Sequence, residues 1–269
     1  MSNNVFASVK KAKNTVEEDF VGGGGVLETD LYEAKIKTAY LGMSSSSKAQ
    51  SMNLLLDVNG QEVRETVWMS NRNGGVTYTK DKVEYNLPGF NQINSLCLLV
   101  AGKELGDMEV EELTVKLYDH DVKKEVPQAV DCFVELHGEH VLIALQRQTV
   151  DKQKKNESTN EYENTGDTRD QNEIVKFFSY ENRVTISEVS EFVTSMGESF
   201  DDTVADGHIL NAIGKMTEEQ AGYAETWLEK NKGKTYDKSK GAKKGEGKSF
   251  GGGDSSEGKT KKKSNLFDD

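Results

Sequence analysis

The sequence predicts a mainly β fold with one helix set inside a series of short strands, helices appended after it, and a tail with no core of its own. Three observations predict this. Apolar and polar residues alternate with period two through much of residues 31–148. A single helical run, framed by Pro88 and Gly102, interrupts that alternation. Beyond residue 233, glycine, lysine and serine replace nearly every apolar side chain.

The elements follow in order. Residues 1–25 read as a flexible polar lead ending in four glycines, Gly22 to Gly25. Residues 31–41 place Tyr32, Ala34, Ile36 and Tyr40 on one face and Glu33, Lys35 and Lys37 on the other, a strand. Residues 51–58 and 62–69 are two more strands, joined at Asn59-Gly60, a pair suited to the positive backbone angles of a tight hairpin. A polar loop covers residues 71–75. Ile93, Leu96 and Val100 then recur at helical spacing, with Pro88 near the start and Gly102 at the end. Strands resume at residues 113–118, 129–136 and 140–148, the last two joined at His137-Gly138-Glu139. Residues 151–172 are polar, almost free of aliphatics, and expected to be a mobile excursion. Residues 174–180 close the sheet. Helices follow over residues 187–196 and 217–230, the second with a capping box at Thr217 and Gln220.

This order suits an OB-fold-like five-stranded barrel at residues 26–186, appended helices at 187–232 and a disordered tail at 233–269. A lipocalin-like barrel or a sandwich fits less well, because the helix interrupts the strands. No run of eighteen apolar residues offers a membrane span. Lys10, Lys11 and Lys13 are followed by no apolar stretch, so a secretory leader is not expected. Cys97 and Cys132 lie in apolar runs and read as reduced core residues of a cytosolic protein.

Net charge is −12, but it is unevenly spread. Ten lysines stand against four acids between residues 233 and 263, so the body before them is more acidic than the whole chain. Such a body repels a duplex everywhere except at a local basic face, which favours reversible contact with exposed single strands.

The run LYEAKIKTAYLGMSSSSKAQSMNLLLDVNGQEVRETVWMSN resembles the start of bacteriophage single-stranded DNA-binding proteins. The runs NEIVKFFSY and TEEQAGYAETWLEKNKGK fit the same family. The nearest resemblance is to podoviruses that carry their own virion RNA polymerase, over roughly residues 20–236. It implies an OB-fold and a non-enzymatic protein that coats replication and recombination intermediates in the cytoplasm of the infected host. In some members it also implies help to host RNA polymerase at late promoters, through the C-terminus.

Single-strand binding needs flat side chains to stack on bases and cations to follow the phosphates. Arg64, Trp68, Arg72, Tyr78, Lys80, Lys82 and Tyr85 supply both. Val63, Val67 and Met69 share one face of their strand; Arg64, Thr66 and Trp68 share the other. With the valines inside, Trp68 stands outside beside Arg64, and residues 71–82 form a flexible arm over a groove. A second candidate cluster joins Arg147, Lys152, Lys154 and Lys155. Alternation leaves at most Phe177 or Phe178 to face DNA, and Phe177 is the candidate. The competing reading makes Trp68 a packed residue and the cations a solvated face.

The tail divides into a linker, a basic cluster at Lys259, Lys261, Lys262 and Lys263, and the tip Leu266-Phe267-Asp268-Asp269. An apolar pair flanked by carboxylates on a tether suits docking into a basic pocket of a replication or transcription protein. Other patterns do not hold up. GDSSEGKT at residues 253–260 matches a phosphate-binding loop but lacks the strand before and the helix after it. His137 and His140 beside Glu139 and Cys132 read as turn residues with no second ligand pair, and His120 reads the same way. Asp201 and Asp202, with Asp206, read as a solvated helix start. No cofactor or metal is expected. The other classes are a protein-binding phage host-takeover or structural protein and a metal-dependent nuclease, which needs carboxylates clustered around magnesium.

Overall fold

The computed structural model describes residues 25–119, 122–156 and 162–239. The N-terminal lead to residue 24, His120 and the C-terminal segment from residue 240 lie outside the described residues, including the phosphate-loop match at 253–260.

Strands β1 (Asp30–Met43), β2 (Gln50–Val58) and β3 (Gln61–Trp68) form an antiparallel meander. Asn59 and Gly60 turn the chain with φ of 54° and 79°, the two positive angles the Asn-Gly pair predicts. The Asp57 carboxylate accepts from Gly60 N–H at 2.8 Å and fixes the turn. A short hairpin follows, β4 (Thr77–Lys80) and β5 (Val83–Asn86). Helix α1 (Pro88–Ala101) comes next, with Pro88 in its first turn and Gly102 capping its end in the left-handed region at φ 69°. Hairpin β6 (Val110–Asp119) and β7 (Lys124–Phe133) precedes β8 (His140–Lys155) and β9 (Tyr162–Phe178). Helices α2 (Ile186–Ser195), α3 (Phe200–Ala205), α4 (Ile209–Lys215) and α5 (Gly222–Asn231) close the fold with the short strand β10 (Thr235–Asp237).

β1 serves two partners on one edge because it bends. Asp30 to Lys35 pair with β8, a bulge falls between Ile36 and Thr38, and Tyr40 then meets Cys132 of β7. At the bend, Gly138 N–H donates to the Ile36 carbonyl and His137 Nε2 accepts from Ala39 N–H at 3.1 Å. His137 is therefore structural, and His140 begins β8 opposite Lys35.

The main core fills the inner face: Ile36, Leu54 and Leu56 of the meander, Ile93 and Leu96 of α1, Ile143 and Phe177, and Val189, Val193 and Ile209 of the appended helices. The appended helices thus share one core with the strands. A second cluster lies on the other face of β8 and β9, where Ala224 and Trp227 of α5 cover Leu142, Ala144 and Phe178. Each large side chain buried there contributes roughly 1.5–3 kcal/mol. Cys97 and Cys132 are buried free thiols, and burial pushes the Cys97 thiol up to about 12. No helix among the described residues is long and apolar enough to cross a membrane, which says nothing of β-barrels.

Four expectations are corrected. The mainly β fold stands, but the sheet has eight strands and no ladder joins β3 to β9 among the described residues, so it stays open rather than closing as a five-stranded barrel. Side chains hold that seam. Glu65 accepts from Ile174 N–H at 3.1 Å, Gln92 donates to the Ile174 carbonyl at 2.8 Å, and Asn172 bonds both backbone groups of Leu27. Residues 151–172 are mostly paired strand, not an excursion, with residues 157–161 undescribed. Cross-strand polar pairs such as Thr149–Asp170 and Asp151–Asn164 fix their register without an apolar face. Residues 233–239 belong to the fold, because β10 runs parallel to β8 and Gly233 N–H donates to Thr29. The helix expected over 217–230 is broken: a 3₁₀ turn at Glu218–Gln220 precedes α5, and the Thr217–Gln220 capping contact belongs to that turn.

Candidate nucleic-acid interface

The alternation of β3 resolves as the sequence predicts. Val63 and Val67 point into the core, while Arg64, Thr66 and Trp68 point out. Trp68 is 50% exposed. It lies opposite Ser51, which lies opposite Gly42, so its row across the sheet carries only small side chains. A Cβ on Gly42 would stand 2.3 Å from Asn53 Nδ2 and 2.6 Å from Ser51 Oγ, so those two side chains would have to turn away to admit one. Ser51 itself is buried at 3%, so the exposed part of the indole is the part that projects beyond this row.

Both feet of the following arm are fixed at Trp68. The chain leaves β3 there and returns at Gly89, where an added Cβ would stand 2.1 Å from the Trp68 carbonyl oxygen. Between them, Asn71 Oδ1 accepts from Asn73 and Gly75 N–H, and Leu87 N–H donates to the Val76 carbonyl. Beyond the loop at residues 71–76 the arm is a hairpin of two paired strands. Asp81 and Lys82 turn it with φ of 52° and 66°. Tyr78 and Tyr85 face each other across it with ring centroids 5.7 Å apart, stacked at 28°. Tyr85 is 46% exposed and Val83 49%.

The cations divide into two groups. Arg72, Lys80 and Lys82 have no salt-bridge partner among the described residues and stand exposed on the loop and hairpin. Lys48 joins them: its N–H donates to the Arg72 carbonyl at 3.0 Å, and it is likewise exposed and without a salt bridge. Sequence reading missed Lys48 because it ends a serine loop far from Arg72 along the chain. Arg64 stands on the expected face, but Glu62 and Glu125 take its guanidinium at 2.8 and 3.1 Å. Those hydrogen bonds, Glu62's first, hold its pKa above the ordinary arginine value.

The second predicted cluster lies elsewhere, on the β8–β9 ribbon. Arg147 binds one oxygen of Asp170 through two nitrogens, at 2.7 and 3.0 Å, while Thr149 binds the other. Lys152 and Lys154 are exposed, Lys154 opposite Glu163, and Lys155 ends β8. Phe177 is corrected outright: it is 2% exposed, opposite Ile143 in the main core, and Phe178 is buried beneath α5. Helices cover both faces of β9 here, so alternation exposes neither ring. The tail candidates Lys261, Lys262, Lys263, Leu266, Phe267, Asp268 and Asp269 lie outside the described residues.

What Trp68 and the loop and hairpin that follow it offer chemically is a stacking ring, an aromatic arm and, with Lys48, four cations without a salt bridge among the described residues. Among the described residues no three His, Cys, Asp or Glu side chains gather as a metal site. Asp201 and Asp202 start α3, capped by the Ser199 hydroxyl. The chain matches no protein-family model, and comparison with curated proteins finds no match.

Proposed function

We propose that the protein binds single-stranded DNA without sequence preference and does no chemistry on it. The observation that carries this reading is the half-exposed Trp68, flanked by a row of small residues, the Tyr78–Tyr85 arm and cations with no carboxylate partner. Stacking tolerates any base, because every base has a π-face, and the cations supply sequence-independent attraction to phosphate.

The strand order supports an OB-type interpretation of the open sheet. A meander β1–β2–β3 is followed by α1, then β8 returns to β1 and β9 pairs with β8. The β4–β5 and β6–β7 hairpins are insertions in that plan. With the resemblance, the reading extends to a phage protein that coats strands during replication and recombination in the cytoplasm of an infected host. Its tip at residues 266–269 would recruit replication proteins or host RNA polymerase, activating transcription in the latter case.

The test is titration of tryptophan fluorescence with oligo-dT at several salt concentrations, beside a duplex. Trp227 is only 7% exposed beneath the sheet, so quenching reports Trp68. Strong quenching by the single strand alone, weakened by salt, is expected. Trp68→Ala should weaken binding by about 1–3 kcal/mol with an unchanged fold. No salt-dependent binding at low salt overturns the function, and unaltered affinity in the variant overturns the stacking role.

A further inference from the structure

We propose that β6 is an assembly edge through which two copies of this chain pair about a twofold axis. β6 is ladder-paired with β7 along all ten of its residues, and among the described residues no strand pairs with its other edge. An unpaired edge presents alternate N–H and C=O groups and invites a further strand. β6 carries Glu111, Glu112 and Lys116, but two other usual protections of an edge are missing on it. It contains no proline and no bulge, since the hairpin's proline, Pro127, is on β7 and the register runs unbroken. Its Leu113, Val115 and Leu117 are only half-buried, and Val115 and Leu117 overhang a cleft of about 110 Å³ shared with Tyr40 and Leu55.

The occupant follows from the edge's own side chains. When two identical strands pair antiparallel about an axis normal to the sheet, the same residue of each copy meets at the centre. Centred on Thr114, the middle of the strand is self-complementary, while Glu111 falls opposite Leu117. Thr114 meets Thr114, Leu113 meets Val115 twice, and Glu112 meets Lys116 twice. Val110, 47% exposed, meets Tyr118. Neighbouring registers lose this match. Centring on Glu112 or Lys116 sets like charges face to face, and centring on Val115 sets Lys116 against Thr114 and Glu112 against Tyr118, with no ion pair. Within the chain, neither Glu112 nor Lys116 has a salt-bridge partner among the described residues. Their charges are left to be matched by a second copy, and the contact does not depend on whether the protein binds DNA.

The experiment is light scattering or sedimentation of the full chain over a range of concentrations, with circular dichroism to verify folding. The wild type should pass from monomer to dimer as concentration rises. Lys116→Glu, an exposed substitution, makes both ion pairs repulsive and should weaken dimerisation by about tenfold or more. The swap Glu112→Lys with Lys116→Glu restores both pairs and should restore dimerisation. A wild type that stays monomeric overturns the proposal. So does a Lys116→Glu protein that dimerises as well as wild type, or a double variant that stays as weak as the single one.

Discussion

Glu65 occupies a position in β3 where the pattern asks for an aliphatic residue, between the buried Val63 and Val67. Burial pushes its carboxyl from 4.5 up to about 7, Ile174 N–H pulls it back, and Glu173 adds to the rise. The consequence for stability has a definite sign. Below 4.5 the carboxyl is protonated whether the chain is folded or not. Between 4.5 and about 7 the unfolded chain gives up a proton that the fold retains, so stability falls as pH rises through that window and levels off above it. The loss is on the order of 3 kcal/mol. Glu65→Gln can still accept from Ile174 but cannot ionise. The melting temperature of wild type relative to this variant should therefore drop between pH 4.5 and 7. A difference that does not vary with pH would show that Glu65 titrates as an ordinary carboxylate.

The junction between β3 and α1 places the candidate site, and it depends on close backbone approach. Gly89 admits the first turn of α1 against the Trp68 carbonyl, with Val67 also at 3.2 Å from where a Cβ would be. Gly89→Ala must push the helix off the strand, at about 1–3 kcal/mol. It should lower the melting temperature and also the affinity for oligo-dT, since Trp68 and the foot of the arm move together. A variant as stable as wild type would mean that the helix shifts freely and the junction is not a constraint. Two strand pairs are hard to read from the sequence, the hairpin of the arm and the β8–β9 ribbon. The β4–β5 turn uses Asp81-Lys82 rather than a glycine pair, so its positive angles had no visible marker. The long β8–β9 ribbon looked like an excursion because its pairing rests on polar contacts such as Arg147–Asp170.

Across the whole molecule, the net charge of −12 is unevenly paired: acids hold Lys37, Arg64 and Arg147 of the sheet, while the cations of the loop and hairpin after Trp68 have no salt bridge among the described residues. Arg64 and Arg147 are tied to carboxylates, whereas Lys48, Arg72, Lys80 and Lys82 are not. The acidic tip of the tail adds repulsion toward DNA, not attraction. Deleting residues 266–269 should therefore leave oligo-dT affinity equal or higher while abolishing capture of replication or transcription partners. Loss of DNA binding in that truncation, measured by the same fluorescence titration, would overturn the division of labour between body and tail.

The sequence by itself determined the elements whose causes are local. The Asn59-Gly60 turn, the Pro88 start and Gly102 end of α1, the outward face of Trp68 and the buried thiols all follow from neighbours within a few residues. Tertiary structure alone decided which exposed-looking groups remain available. Phe177 is lost to the core because helices far along the chain cover both faces of β9. Arg64 is neutralised by Glu125 and Arg147 by Asp170, partners 61 and 23 residues away, and Lys48 reaches Arg72 through a loop contact. The open seam held by Glu65 and Gln92 is likewise a matter of residues brought together from opposite ends of the fold. Period and turn chemistry act between neighbours in sequence, but burial and charge pairing act between neighbours in space.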